Sequence, residues 1–280
     1  MWSRHFLVAW ASDPIQARMV RALFDQVRVE TLVATSVDQL RDALSGDSGV
    51  VLACGDYPTE RLVSVFNAIR RTHPHVAFVV VQSEKGQRMR LVNLLPEGTD
   101  VVEGSCVGEV VVGAVSAALI KSVGSTIEAH IVAPAACHPL IRAATRAILR
   151  SVYVAPDMSI GTPSRSLKAV ANQIGTSRDY LARLTKRRSY PIGHVASRWL
   201  IAQVALVKDI EDQPWARIAW RCGYESASGL SDLCSTRLGI RLSQLSEVPS
   251  RQVLRDFGTW LASLLTERVE SHGEFHTADP

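Results

Sequence analysis

Residues 166–184, SLKAVANQIGTSRDYLARL, have the spacing that decides the C-terminal fold. Ala171 is followed by Gly175 four positions later and by Leu181 ten positions later. Where two helices cross closely, only a small side chain fits at the contact, and glycine adopts the left-handed turn conformation without steric cost. Ser177 is placed to cap the second helix, because its hydroxyl can accept a backbone N–H. The stretch therefore predicts two short helices that meet at a tight corner.

The same order recurs in residues 215–230, WARIAWRCGYESASGL. Ala219, Gly223 and Leu230 repeat the small residue, the turn glycine and the apolar residue, with one extra position before the leucine. A single corner of this kind is ordinary in helical proteins, and a plain helical hairpin is the alternative for either copy. Two copies 48 residues apart favour a pair of helix-turn-helix units, in which the second helix of each enters a DNA major groove.

The segment that holds both corners resembles the DNA-binding domain of AraC/XylS-type transcription regulators. The resemblance spans roughly residues 138–247 and includes a long helix at 194–210 between the corners and an earlier helix at 138–152. It is carried by the A-x3-G-x5-L unit, by Arg198 with Ala202 four positions later, by RIAWRCGYES at 217–226 and by RLGIRLSQL at 237–245. The resemblance implies an all-α domain that binds duplex DNA.

The same resemblance implies which side chains face DNA. They are Ser177, Arg178, Asp179, Ala182, Arg183, Lys186, Arg187 and Arg188 in the first corner, and Ser226, Ala227, Ser228 and Asp232 in the second. Arg183 is the best candidate for reading a base, because a guanidinium offers two parallel donors to guanine O6 and N7. Asp232 would repel phosphate, although it could accept from a cytosine amine. We therefore expect the second corner to read sequence weakly.

The chain departs from the family pattern at four core positions. Family members usually have phenylalanine where this chain has Thr185, and again near Leu230 and Cys234, and a proline where it has Leu242. We expect looser packing at these positions. A domain that no longer reads DNA and serves as a protein–protein interaction module is the alternative.

The first 120 residues alternate apolar strands with helical segments. Strands are predicted at 6–12, 30–35, 49–55, 76–82 and 100–104, and helices at 13–27, 36–44, 58–73, 86–95 and 108–120. Five such units imply a parallel sheet covered on both faces, because parallel strands need crossover helices. Right-handed crossovers would make it a doubly wound, flavodoxin-like α/β sandwich. Its length and order resemble a response-regulator receiver domain.

A phosphorylated receiver needs acidic residues after its first strand, an acceptor Asp after its third and a Lys after its fifth. Here Asp13 is the single acid after the first strand, Cys54 takes the acceptor position if Pro58 is the family proline, and no lysine follows the fifth strand. One carboxylate is a poor Mg²⁺ site, and a phosphate without a cationic partner gains little. We therefore expect lost phosphorylation. The alternatives are that Asp56 accepts phosphate through a two-residue shift of register, or that Cys54 acts as a nucleophile.

Composition is that of an ordinary protein of two compact domains, with 280 residues, 47% of them hydrophobic and 21% charged. Residues 1–120 carry 11 Lys and Arg against 13 Asp and Glu, whereas residues 121–280 carry 20 against 14. The basic half is the half with the corners, which suits phosphate contact. No apolar run approaches the roughly 20 residues of a membrane helix. Five scattered cysteines indicate reduced thiols, and no zinc-ligand spacing is complete.

These observations predict four segments. They are a receiver-like domain at 1–121, a Gly-, Ser- and Pro-containing linker at 122–137, the AraC-type domain at 138–248, and an amphipathic helix with a tail at 249–280. The helix is expected to dock on its own chain, with a dimer contact as the alternative. In the receiver-like domain, the sheet edges and last helices could make a homodimer, or the crevice at the strand ends could hold a small ligand.

The predicted function is sequence-specific DNA binding by a cytoplasmic transcription regulator that is not an enzyme and is not controlled by aspartyl phosphorylation. We expect the two recognition helices to enter successive major-groove turns about 34 Å apart. The expected partners are double-stranded DNA, a second copy of the chain in a homodimer, and RNA polymerase. No cofactor, metal or membrane contact is expected, and the effector is left open.

Overall fold

The computed structural model describes residues 7–11, 13–25, 30–44, 49–54, 57–82, 93–103, 108–154 and 164–266. The N-terminal part contains β1 (Leu7–Ala11), α1 (Pro14–Phe24), β2 (Thr31–Ala34), α2 (Val37–Ala43), β3 (Val50–Cys54), α3 (Thr59–Thr72), β4 (Ala77–Gln82) and β5 (Asp100–Glu103). Helices follow as α4 (Glu109–Ile127), α5 (Pro139–Arg150), α6 (Leu167–Gln173), α7 (Arg178–Arg187), α8 (Ile192–Glu211), α9 (Trp215–Arg221), α10 (Ala227–Leu238), α11 (Leu242–Leu245) and α12 (Ser250–Thr266).

The five strands are all parallel and pair in the order β2-β1-β3-β4-β5. This is the strand order of a doubly wound, flavodoxin-like sheet. Every residue of β1 is buried, as are Val50–Ala53 of β3, which explains why these strands are continuous apolar runs rather than alternating ones. The prediction of a five-stranded parallel sheet followed by a helical part is confirmed. Most of the helix predicted at 86–95 lies outside the described residues, and residues 93–95 form a turn.

Helix α4 continues well beyond its predicted end at Ile120, so the predicted linker at 122–137 was wrong over its first part. Residues 122–127 belong to α4, and a π-helical turn, Glu128–Val132, follows directly. The reason is burial on several sides, which removes the one-sided periodicity that marks a surface helix in a sequence. Ser122 and Thr126 are buried with satisfied hydroxyls, since the Ser122 hydroxyl accepts from Gly49 N at 2.9 Å and the Thr126 hydroxyl donates to the Ser122 carbonyl at 3.0 Å.

The extended helix also changes the membrane expectation. Residues Glu109–Val132 form a continuous helical segment of 24 residues with a mean hydropathy of 1.7, enough by length and composition to cross a membrane. The expectation that no segment is long enough was therefore wrong. However, 72% of its apolar window is buried inside the protein. A core helix of a soluble protein has this character, and α4 is such a helix because it packs on both the sheet and the C-terminal helices.

Helix α8 is the centre of the helical part. It contacts α4, α5 and α12, and its Gln203 side chain is fully buried. The amide oxygen of Gln203 accepts from Tyr153 N at 2.6 Å, while its nitrogen donates to the Ser151 carbonyl at 2.8 Å. Helix α12 docks on its own chain as predicted, with the ring of Phe257 5.6 Å from that of Trp199. The tail predicted after α12 lies outside the described residues.

Candidate nucleic-acid interface

The turn between α6 and α7 is closed by two backbone hydrogen bonds. Gly175 is left-handed, with φ +69°, as its place in the spacing predicts. Its N–H donates to the Asn172 carbonyl at 3.2 Å, and Thr176 N donates to the Ala171 carbonyl at 2.9 Å. These two bonds satisfy carbonyls that the end of α6 would otherwise leave unpaired. Ala171 is fully buried at this contact, and a larger side chain would push the two helices apart.

The turn between α9 and α10 repeats this hydrogen bonding. Gly223 has φ +79°, and its N–H donates to the Trp220 carbonyl at 2.9 Å. Tyr224 N donates to the Ala219 carbonyl at 2.9 Å, and Ala219 is fully buried. The extra residue falls after the turn. Thus the paired spacing of alanine and glycine produces the same backbone corner twice.

The two corners cap their second helices differently. In the first, the Ser177 hydroxyl accepts from Tyr180 N at 3.2 Å and so begins α7 in the predicted way. In the second, Ser226 precedes α10 with extended backbone, but its hydroxyl contacts the Ser228 hydroxyl at 2.7 Å and caps no backbone N–H. Helix α7 consequently has the better-defined start.

Helix α7 presents its predicted contact residues to solvent. Ser177, Arg178, Asp179, Arg183, Lys186, Arg187 and Arg188 are exposed, and Ala182 is half-buried. Within the described part of the chain, the side chains of Arg178, Arg183, Lys186 and Arg187 form no ion pair. Residues 166–188 hold six basic residues against one acidic residue. This corner therefore carries positive charge that its surroundings leave uncompensated.

Arg188 differs from the other cations of this helix end. It lines a small surface pocket together with His138, Tyr190 and Leu265. The pocket lies between the start of α5 and the end of α12. A substitution of Arg188 would therefore disturb packing as well as charge, which sets it apart from the other basic residues of this helix end.

The predicted contact residues at the start of α10 are polar but not cationic. Ser226, Ser228 and Asp232 are exposed, and Ala227 is half-buried. The structure thus places the predicted residues of the second corner at the surface as well.

Two cations of α9, the first helix of the second corner, form ion pairs within the protein, which the sequence pattern did not indicate. Arg217 forms a bidentate contact with Glu109 at 2.6 and 3.1 Å. Arg221 pairs with Glu211 in a contact whose side chains are only 4% and 3% exposed. Nothing local in the sequence marks these partners, because Glu109 lies on α4 and Glu211 at the end of α8.

A contact from Arg165 joins the two corners. Arg165 precedes α6, and its Nη1 donates to the Tyr224 hydroxyl at 2.8 Å. Its guanidinium also lies 4.9 Å from the Tyr224 ring centroid. Tyr224 follows the turn glycine of the second corner. The contact therefore links Arg165, which precedes α6, to the turn between α9 and α10.

The four departures from the family pattern all lie in the core. Leu230 and Cys234 are fully buried, and Thr185 and Leu242 are 8% and 5% exposed. The Thr185 hydroxyl donates to the Ala182 carbonyl at 3.1 Å, so its polar group is satisfied within the helix. Looser packing there stays a prediction.

The carboxyl ends of β1 and β3 hold aromatic side chains where a receiver would hold a metal. Trp10 stacks on Tyr57 with ring centroids 4.2 Å apart, and the guanidinium of Arg61 lies 5.5 Å from the Trp10 ring. Asp13 caps α1 by accepting from two backbone N–H groups at 2.8 and 3.0 Å. Among the described residues, no group of three or more His, Cys, Asp or Glu is placed to hold a metal ion.

The thiol at this end of β3 is unsuited to nucleophilic chemistry. Burial raises the pKa of Cys54 to about 12, whereas a reactive cysteine needs its thiolate near neutral pH. Asp56, the alternative phosphate acceptor, lies outside the described residues.

Comparison of the chain with protein-family models, with curated proteins and with solved structures found no match. The likeness to AraC/XylS-type regulators and to receiver domains therefore stays a prediction from the residues quoted above.

Proposed function

We propose that the chain is a cytoplasmic transcription regulator whose helical part binds duplex DNA through α7. The observation that carries the proposal is the exposed set Arg178, Arg183, Lys186 and Arg187, which has no ion-pair partner in the described chain. It lies on a capped helix behind a left-handed glycine corner, which is how a helix-turn-helix presents its recognition helix.

The positions of the cations on α7 fit a helix lying in a groove. At about 100° per residue, Arg178, Arg183, Lys186 and Arg187 fall on one half of the helix surface. Leu181 is buried on the opposite half. One face therefore holds the helix in the protein, and the other is free to meet the phosphates and base edges that line a major groove.

Two different tasks are proposed for three of the four cations. Arg183, in the middle of the helix, is proposed to read guanine, because its fork matches O6 and N7. Lys186 and Arg187, in the last turn, are proposed to contact phosphates, which fix the register without reading sequence. The first turns of α10 offer hydroxyls and Asp232 instead, so this part of the helix is proposed to position the duplex and to contribute little affinity.

The first test is a charge-matched comparison. In one variant Arg178, Arg183, Lys186 and Arg187 are changed to alanine, and in the control Arg18, Arg21, Arg71 and Arg255 are changed. All eight side chains are exposed, so the two variants lose equal charge. Genomic fragments selected by the parent supply the duplex, and the dissociation constant is measured at several salt concentrations.

The α7 variant is expected to lose affinity and to flatten the salt slope by about 2, at roughly 0.9 for each of the two phosphate contacts proposed for Lys186 and Arg187. The control should keep most of both. Equal behaviour of the two variants would mean that α7 is not the DNA site.

A protein–protein interaction module remains the second candidate, and one observation favours it for the second corner. Trp220 on α9 is 50% exposed and Val110 on α4 is 69% exposed. Val110 follows Glu109 in the sequence, and Trp220 lies three residues after Arg217. Contiguous exposed apolar surface marks a protein-binding site, whereas single exposed apolar side chains are ordinary. If the parent selects no genomic fragment, this candidate replaces DNA binding. The proposed homodimer is checked separately by sedimentation of the parent.

A further inference from the structure

Two guanidinium groups and an imidazole lie close together beside α8 without a carboxylate among them. His194 lies in the first turn of α8, Arg198 lies one turn later, and Arg237 lies near the end of α10. Arg237 Nη1 is 2.7 Å from His194 Nε2. Within the residues that the structure describes, no acidic side chain pairs with any of the three. We name His194, Arg198 and Arg237 the α8 cationic cluster.

The donors of this cluster are held in place but not used up. The Arg198 guanidinium lies 4.3 Å from the Trp260 ring centroid, and its N–H groups donate no hydrogen bond within the described chain. Arg237 Nε is buried and has no hydrogen-bond partner in the described chain. A buried donor without a hydrogen-bond partner costs free energy, and Arg142 Nε and Arg146 Nε share this state in the described chain.

The electrostatics of the cluster point in the same direction. Partial burial and then the positive charges of Arg237 and Arg198 lower the pKa of His194 below its ordinary value. Burial and the charge of Arg237 also lower the pKa of Arg198. The neutral imidazole can then accept from Arg237 through Nε2. Repulsion between the two guanidinium groups is left without compensation, and an anion placed between them would remove it.

We infer that the α8 cationic cluster binds a phosphate group, with Arg198 and Arg237 as charged donors. His194 stands at the solvent-exposed edge, so the site is open to an incoming group. Guanidinium groups prefer phosphate because two parallel N–H donors match two of its oxygens. The phosphate belongs either to the backbone of bound DNA, which extends the function proposed above, or to a free phosphate or phosphorylated small molecule.

The first arm of the test uses inorganic phosphate and no DNA. The Tm of the full chain is measured as phosphate is added, with sodium chloride at matched ionic strength as the reference. The variants are Arg198→Gln and Arg237→Gln, and the control is Arg255→Gln, an exposed residue of α12. Phosphate should raise the Tm of the parent and the control above the chloride reference, and the rise should fall by at least half in each cluster variant.

The second arm uses duplex DNA selected by the parent. If a backbone phosphate occupies the cluster, each variant lowers the slope of log Kd against log salt by about 1. Inorganic phosphate then competes with DNA in the parent more strongly than matched chloride does. A phosphate effect on Tm without any change of slope assigns the site to a free phosphate ligand.

The inference is overturned if folded variants match the parent in both arms. Circular dichroism reports folding, and Arg198→Met or Arg237→Met, which keeps the aliphatic stem but removes the donors, replaces any glutamine variant that does not fold. If the parent binds no DNA at all, the function proposed above fails while the phosphate arm still decides this inference. The two failures are therefore distinguishable.

Discussion

The two helix corners have the same backbone conformation, but their basic side chains differ in whether they form ion pairs. Both turns contain a left-handed glycine and the same pair of backbone hydrogen bonds to an alanine-containing helix end. The first corner leaves its cations in solvent, whereas the second binds Arg217 to Glu109 and Arg221 to Glu211. Small residues therefore determine the corner, and long-range partners determine whether the corner has charge to offer a ligand.

Breaking the buried ion pair of the second corner should have the largest effect. Arg221→Met leaves Glu211 buried without its partner, which typically lowers the free energy of unfolding by about 3–5 kcal/mol. Denaturant unfolding measures the loss. The double variant Arg221→Met with Glu211→Leu should recover most of it, because no uncompensated charge remains. A double variant as unstable as the single would show that packing, not charge, is what Arg221 supplies.

Replacing one base-reading candidate in each corner compares how much the two corners contribute to DNA affinity. Arg183→Ala should weaken binding to selected DNA by about 1–3 kcal/mol, the value of a bidentate guanine contact. Asp232→Asn should leave binding unchanged or strengthen it, because it removes a charge that repels phosphate. Fluorescence anisotropy at constant salt measures both. Larger losses for Asp232→Asn would reverse the assignment of the two corners.

Replacing the turn glycine of the first corner tests the backbone that both corners share. An added Cβ at Gly175 meets nothing within 4 Å, so Gly175→Ala isolates the effect of the left-handed backbone. We expect a loss of about 1–2 kcal/mol in unfolding free energy, measured by denaturant titration. Gly193→Ala, which also meets nothing but lies inside a helix with ordinary φ, should not destabilise.

The smallest effect is expected from the exposed pair between α9 and α4. A hydrogen bond from Arg217 and its positive charge lower the pKa of Glu109. Because the folded-state pKa is depressed, any stability from this contact is present at neutral pH and is lost as the pH falls through that pKa. Both groups are solvated, so Glu109→Gln should leave the Tm nearly unchanged at pH 7. A Tm drop at pH 7 comparable with that of Gly175→Ala would show that the contact couples the two parts of the chain.

The sequence was sufficient for the elements whose signals are local. The five strands were recognised because each is a short apolar run next to a helical segment, and α12 because its buried residues recur on one stripe. The end of α4 was missed because residues 122–127 are buried on several sides and include Ser122 and Thr126, whose hydroxyls are typical of linkers. Burial alone explains their helical state.

In the candidate site, too, the features that depend on neighbouring residues were predicted and those that depend on distant residues were not. Ala171, Gly175 and Ser177 predict the first corner because backbone geometry and capping depend on neighbours in sequence. The partners of Arg217 and Arg221 were not predictable, because they come from other helices. The α8 cationic cluster was missed for the same reason, since His194 and Arg237 are 43 residues apart and meet only when α10 folds along α8.

The contact between Arg165 and Tyr224 has a consequence for the duplex that the proposed regulator would accept. This contact fixes the distance between the two corners before any ligand binds. A flexible segment of B-form DNA can bend to match that fixed distance and so contact both corners, whereas a stiff tract can contact only one of them. Target choice would then depend on how easily a stretch of DNA bends, even at base pairs that no side chain touches.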